Sequence, residues 1–92
     1  MATTTLSFTE RGGEYVATYT STGDTVVQIE RANGGNINVY ASIDGMTPKP
    51  IFGVYKESGN SLLKVCVPSG MKVEIHSETE VTTGKALTEE TA

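Results

Sequence analysis

Apolar and polar residues alternate along most of this chain, and glycine-containing segments interrupt the alternation at short intervals. A period of two is the pattern of a β-strand, because successive side chains point to opposite faces of the sheet. Helix signals are nearly absent. The pattern therefore predicts an all-β chain of seven strands, at Thr4–Glu10, Glu14–Ser21, Thr25–Ala32, Asn36–Ile43, Ile51–Lys56, Ser61–Val67 and Met71–Ser77.

The segments between these strands contain residues that favour tight turns, and we predict hairpins there. The connections are Arg11-Gly12-Gly13, Thr22-Gly23-Asp24, Asn33-Gly34-Gly35, Glu57-Ser58-Gly59-Asn60 and Pro68-Ser69-Gly70. The segment Asp44–Pro50 is different, because its two prolines cannot donate hydrogen bonds to a sheet. We predict that the chain changes from one sheet to the other in this segment.

The alternation also predicts which side chains face inward, since a slip of one residue would reverse every face. Three-residue turns at 33–35 and 68–70 keep the apolar residues of each hairpin on one side. The predicted inward set is Val27, Ile29, Val39, Ala41, Ile51, Tyr55, Leu63, Val65, Val67, Met71, Val73 and Ile75. The result is a two-sheet antiparallel sandwich of immunoglobulin-like or jelly-roll-like type, formed by residues 1–78.

Residues 79–92 are acidic and rich in threonine, with Val81 and Leu87 as the only large apolar side chains. This composition favours a flexible tail, and the alternative is an arm that becomes ordered on a neighbouring subunit.

The composition argues against several classes of function. The chain has 92 residues, which suits one domain, and its formal net charge of −4 disfavours nucleic acid as a partner. No apolar segment is long enough for a membrane-spanning helix. The first residues do not resemble a secretory signal, which favours the cytoplasm, with a cell-surface location as the alternative if a signal has been removed.

Candidate catalytic groups are few, and we expect no enzyme activity. Cys66 and His76 are the only cysteine and histidine, and the predicted hairpin places them roughly 13 Å apart. Glu74, His76 and Glu78 share one strand face and suggest metal ligands, but alternate strand residues diverge, so we predict a solvated strand face and no metal site. We expect no cofactor.

One face of the predicted hairpin at Glu57–Asn60 is unusually apolar. Phe52, Val54, Leu62 and Cys66 would lie together on its outer side, relieved only by Lys56 and Lys64. An apolar face of this kind is unusual on the surface of a free monomer, so we expect something to shield it from water. The cover is either another part of this chain or a second molecule, and we treat the four residues as a hypothetical interface for self-association or docking.

Carbohydrate binding is the alternative function. Tyr40 is predicted to face outward beside Asn38, Ser42 and Asp44, and an exposed aromatic ring among polar groups can stack on a sugar.

The chain as a whole resembles the small auxiliary or head-decoration proteins of tailed bacteriophages. The resemblance lies in the start Met1-Ala2-Thr3-Thr4-Thr5-Leu6-Ser7-Phe8, the glycine hairpins and the run Val67-Pro68-Ser69-Gly70-Met71-Lys72-Val73-Glu74-Ile75. It implies a non-enzymatic β-sandwich of the virion, made in the host cytoplasm, which attaches to a capsid or head fibre, often as an oligomer. It assigns no binding residue to a numbered position.

Overall fold

The computed structural model describes residues 2–57 and 59–88 of the chain. Within them the chain forms two antiparallel sheets and no helix, which confirms the predicted all-β sandwich. The strands are β1 (Ala2–Leu6), β2 (Thr9–Arg11), β3 (Glu14–Thr20), β4 (Thr25–Arg31), β5 (Gly35–Ser42), β6 (Lys49–Glu57), β7 (Ser61–Val65), β8 (Lys72–Ser77) and β9 (Val81–Thr88). This part of the chain holds no helix of the length and apolarity that crossing a membrane requires.

One sheet has four strands in the order β1-β9-β4-β7, and we call it sheet A. The second has five strands in the order β2-β3-β8-β5-β6, and we call it sheet B. The predicted first strand is divided between the two sheets, because the chain crosses at Ser7 and Phe8 from β1 to β2.

The predicted tail is wrong for Val81–Thr88. These residues form β9, which pairs with β1 on one side and with β4 on the other. β9 lies inside sheet A, so it needs few large apolar side chains to be ordered. Ala86 is buried, and the ring of Phe8 packs against Gly84. Backbone hydrogen bonds to two neighbours replace side-chain burial as the source of order. Residues 89–92 lie outside the described residues.

The connections between strands differ most from the prediction. Asp44–Pro50 does not carry the chain between sheets, because β5 and β6 pair with each other in sheet B. The predicted hairpins at 22–24, 33–35, 57–60 and 68–70 are wrong: each of these segments joins a strand of one sheet to a strand of the other. Only Arg11-Gly12-Gly13 is a hairpin as predicted, and the positive φ values of Gly12 (60°) and Gly13 (88°) suit a two-residue turn.

The core lies between the sheets and consists mainly of β-branched side chains. Most of the predicted inward residues are buried, and the largest fully buried side chains include Ile29, Ile37 and Ile75. β6 is the exception, because it pairs with β5 in a register that sets Phe52 opposite Val39. Phe52 and Val54 therefore pack against the core, and Ile51 and Tyr55, which were predicted to face inward, are exposed.

Arg31 closes one end of the sandwich. It ends β4 with its side chain pointing inward, and only 5% of the residue is exposed. Its Nε donates to the carbonyl of Gly59 (3.2 Å), one terminal nitrogen donates to Ser77 Oγ (3.1 Å) and Thr79 Oγ1 (3.3 Å), and the other donates to the carbonyl of Gly35 (3.3 Å). The guanidinium thus links the β4–β5, β6–β7 and β8–β9 connections, each of which runs between the two sheets.

Ser21 fixes the opposite end. Its backbone N–H donates to Met71 (2.7 Å), and its carbonyl accepts from the N–H of Gly70 (2.8 Å). Its buried hydroxyl lies within hydrogen-bond distance of the carbonyls of Gly23 (3.0 Å) and Val67 (3.3 Å). These contacts hold the β3–β4 connection against the segment that crosses from β7 to β8.

Replacing Arg31 should reveal its contribution to stability. Arg31→Ala removes the donor to four groups, among them the partly buried carbonyls of Gly35 and Gly59, so we expect the free energy of unfolding to fall by about 2–4 kcal/mol. Arg11→Ala is the matched control, because Arg11 is exposed in β2 and should change stability by less than about 0.5 kcal/mol. Urea denaturation measures both, and equal effects would contradict the assignment.

Tyr19 should make the fold sensitive to high pH. Burial raises the pKa of Tyr19, an effect that Thr25 opposes only in part. The folded-state pKa then lies above that of the unfolded chain, so the stabilisation is present below about pH 10 and is lost as the pH rises through the folded-state value. We expect Tyr19→Phe to lose less stability than the wild type between pH 9 and pH 11 in urea titrations. Parallel losses would show that Tyr19 does not contribute.

Candidate functional site

The four residues of the predicted interface do not form one surface. Phe52 and Val54 belong to sheet B and are half-buried against the core. Leu62 lies on the outer side of sheet A with 69% of its surface exposed, and Cys66, also exposed, follows β7 of the same sheet. The four residues do not share the predicted hairpin face, because β6 and β7 are not paired with each other but lie in different sheets.

Three exposed apolar side chains lie at the connection between β5 and β6. Ile43 and Met46 each expose 67% of their surface, and Ile51 at the start of β6 exposes 42%. A tight turn produces this arrangement: the N–H of Met46 donates to the carbonyl of Ile43 (2.9 Å), and Gly45 supplies the positive φ of 83°. The turn thus places two large apolar side chains at its two ends, both in water.

The same three residues border a shallow depression of about 490 Å³ with an almost entirely apolar lining. Val67 and Met71 form its wall on the side of the β7–β8 crossing, which Ser21 holds in place. We call Ile43, Met46, Ile51, Val67 and Met71 the apolar end. An exposed apolar patch of this kind on a small domain is typical of an interaction surface.

The apolar end has a polar border. Lys49 lies beside the depression, and Asp44 and Lys72 line a neighbouring depression of about 530 Å³ together with Thr18 and Thr20. An apolar centre within a polar rim is the usual anatomy of a protein–protein interface.

The sequence carries a signal for this site. Ile43, Met46 and Ile51 interrupt an otherwise turn-forming segment with large apolar side chains. In a connection that crosses between sheets such residues would be covered by the core. In a loop that returns to the same sheet they have no interior to enter, and the pairing of β5 with β6 is what exposes them.

A second cluster lies on the outer side of sheet B, around His76 of β8. Its Nδ1 lies 3.3 Å from Glu14 Oε1, and its Nε2 lies 3.1 Å from Glu74 Oε1. The ring of Tyr40 packs against the imidazole with a centroid separation of 4.5 Å and an interplanar angle of 53°. The imidazole is thereby held between two carboxylates and an aromatic ring.

Tyr55 extends this cluster across β6. Gly53 lies opposite Asn38, and a Cβ at Gly53 would come within 2.9 Å of Tyr55 Oη and 2.7 Å of Asn38 Oδ1. The missing side chain therefore leaves the space into which the Tyr55 ring folds, although 69% of that residue remains exposed. We call Asn38, Tyr40, Tyr55 and His76 the tyrosine face, which includes the two residues predicted for sugar binding.

Neither cluster has the geometry of a nucleophilic or metal site. Cys66 follows a strand of sheet A, whereas His76 lies on the outer side of sheet B, so the core separates the two. Glu78 accepts a hydrogen bond from the backbone N–H of Asn36 (2.9 Å) at the end of the sandwich. Across residues 2–57 and 59–88, no three His, Cys, Asp or Glu side chains are placed to hold a metal ion.

Comparison with known proteins gives no relative: no family model matches the chain, and no curated protein and no solved structure is similar to it.

Proposed function

We propose that this chain is a non-enzymatic interaction module that attaches to another protein through the apolar end. The observation that carries the proposal is the exposure of Ile43 and Met46 beside an apolar depression. Two thirds of the surface of each residue is in contact with water. A folded domain gains nothing from this exposure by itself. A partner that covers these side chains would gain about 1–2 kcal/mol from each of them.

The turn geometry supports a preformed surface. Ile43 and Met46 are fixed relative to each other by the hydrogen bond that closes their turn, and the opposite wall is tied to Ser21. A surface that is already ordered loses little conformational entropy on binding, which favours affinity. The polar border formed by Lys49, Asp44 and Lys72 would orient the partner.

The partner in this proposal is a structural protein of a virion. This part of the proposal comes from the resemblance to bacteriophage auxiliary and head-decoration proteins, and the apolar end supplies the physical means of attachment that such a role needs. Assembly would then take place in the host cytoplasm.

A photo-cross-linker identifies what the apolar end contacts. We expect a benzophenone amino acid at Met46 to give one dominant adduct with a protein other than this chain when cells that assemble the particles are irradiated. The same group at Ala32, which is exposed in the connection between β4 and β5 at the other end of the sandwich, should not give that adduct. Gel electrophoresis with mass spectrometry is the measurement. Identical adducts from both positions, or adducts only with a second copy, would contradict the proposal.

Charge substitution provides the complementary test. Ile43→Asp with Met46→Asp should prevent recovery of the chain with purified particles, because two carboxylates would have to be desolvated at the contact. Leu62→Asp is the matched control, since its exposed fraction of 69% is close to the 67% of Ile43 and Met46 but it lies in β7. Loss of recovery for the control alone would place the contact on sheet A.

Carbohydrate binding by the tyrosine face is the second candidate. The specific observation in its favour is the polar network around Tyr40, where His76 bridges Glu14 and Glu74 beside the ring. Aromatic rings flanked by fixed hydrogen-bonding groups are what sugar recognition requires. The docking proposal predicts no retention on immobilised glycans. Retention that Tyr40→Ala abolishes and Met46→Asp leaves intact would favour the second candidate.

A further inference from the structure

The two sheets of the described chain have four edges, and three of them carry features that hinder pairing with another strand. β2 has only three residues, two of them charged. β6 contains Pro50 and two register irregularities, and β7 carries Lys64 among its five residues. Short length, proline, bulges and lysine are the devices by which natural sheets protect an edge.

β1 has none of these devices. Its residues Ala2–Leu6 contain no charge and no proline, and they pair with β9 from Gly84 to Thr88 without a register shift. The other side of β1 is the edge of sheet A. Its backbone donors and acceptors on that side face away from the sheet, so β1 is a five-residue template for a further strand.

The exposure of Thr4 indicates that sheet A is incomplete at this edge. Thr4 lies opposite Ala86, and Ala86 lies opposite Val27, so the three residues share the inner row of the sheet. Ala86 and Val27 are buried, but Thr4 is exposed. Leu6, on the same row, is buried in the core, so the inner face is covered where β1 leads into β2 and is open to solvent at Thr4.

We propose that a second copy of this chain pairs with β1 through its own β1, antiparallel, so that the two four-stranded sheets become one sheet of eight strands. A two-fold axis perpendicular to the sheet keeps the inner face of both copies on the same side, so each inner residue of one β1 must lie opposite an inner residue of the other. This condition holds only when the axis passes between a residue and the same residue of the second copy. Centring on Thr4 pairs all five residues of β1, and centring on Thr3 or Thr5 pairs only three.

The proposed register is compatible with both copies. Thr4 lies opposite Thr4 of the second copy, and Thr3 lies opposite Thr5, so the central pairs are threonine with threonine. Such pairs are favourable across antiparallel strands, and the absence of charge means that no like charges meet although each chain carries a net charge of −4. This contact is separate from the apolar end, so it goes beyond the proposed function.

Charge variants at Thr3 and Thr5 test the proposal. Thr3→Glu with Thr5→Glu places like charges opposite each other twice and should weaken the dimer about tenfold or more. Thr3→Lys with Thr5→Glu places opposite charges there and should restore the dimer. Both variants put a carboxylate across from Lys85 within each chain, so the local effect on β1 is matched at that position. Sedimentation equilibrium at several concentrations is the measurement, with circular dichroism to check the fold.

Disulfide trapping tests the register and does not depend on these variants. In a Cys66→Ser background, Thr4→Cys should form a cross-linked dimer on mild oxidation, because directly opposed Cα atoms lie about 4.5–5.5 Å apart. Thr3→Cys should not, because its counterpart lies about 8 Å away, beyond the reach of a disulfide.

A wild-type chain that is monomeric at every concentration would overturn the proposal, as would equal dimerisation of the two charge variants or equal trapping at both cysteine positions. Ile43→Asp with Met46→Asp should leave the dimer intact, which separates a failure of this inference from a failure of the docking function.

Discussion

The structure depends on the burial of one row of side chains from each sheet in a thin shared core. With no tryptophan and only two phenylalanines, the chain fills that core mainly with valine, isoleucine and leucine. Ile29 from sheet A and Ile37 and Ile75 from sheet B are completely buried. Because the side chains of a strand alternate, burial of one row dictates the face of every other residue in that strand. The two ends of the sandwich are closed by polar groups, Arg31 at one and Ser21 at the other.

Burial of the apolar rows does not by itself determine which strands pair with each other. The alternation in β4 and β5 is satisfied equally by a hairpin and by two strands that face each other across the core, because both place Ile29 and Val39 inward. The structure adopts the second arrangement at four of the five predicted glycine turns. This choice allows β9 to enter sheet A between β1 and β4, where its backbone hydrogen bonds are satisfied on both sides.

The arrangement of strands also decides which apolar groups remain in water. Pairing β6 with β5 turns Phe52 toward the core and leaves Ile51 outside, so the apolar surface moves from the predicted hairpin to the end of the sandwich. Placing β1 at the margin of sheet A leaves a strand of uncharged residues without a neighbour on one side. Both candidate contacts are therefore consequences of topology acting on local sequence. The tyrosine face arises in the same way, since β5, β6 and β8 bring Tyr40, Tyr55 and His76 together.

The sequence by itself determined the strand class, most strand positions and the inward rows of β4, β5, β7 and β8, because alternation is a local property that any partner strand preserves. It also identified Tyr40 and Asn38 as outward-facing. The tertiary structure decided which strands pair, that Val81–Thr88 joins a sheet, and that Phe52 and Leu62 belong to different layers. The physical reason is that hydrogen bonds between strands are made by the backbone, which is the same at every residue, so partner choice depends on how all the strands together cover one core.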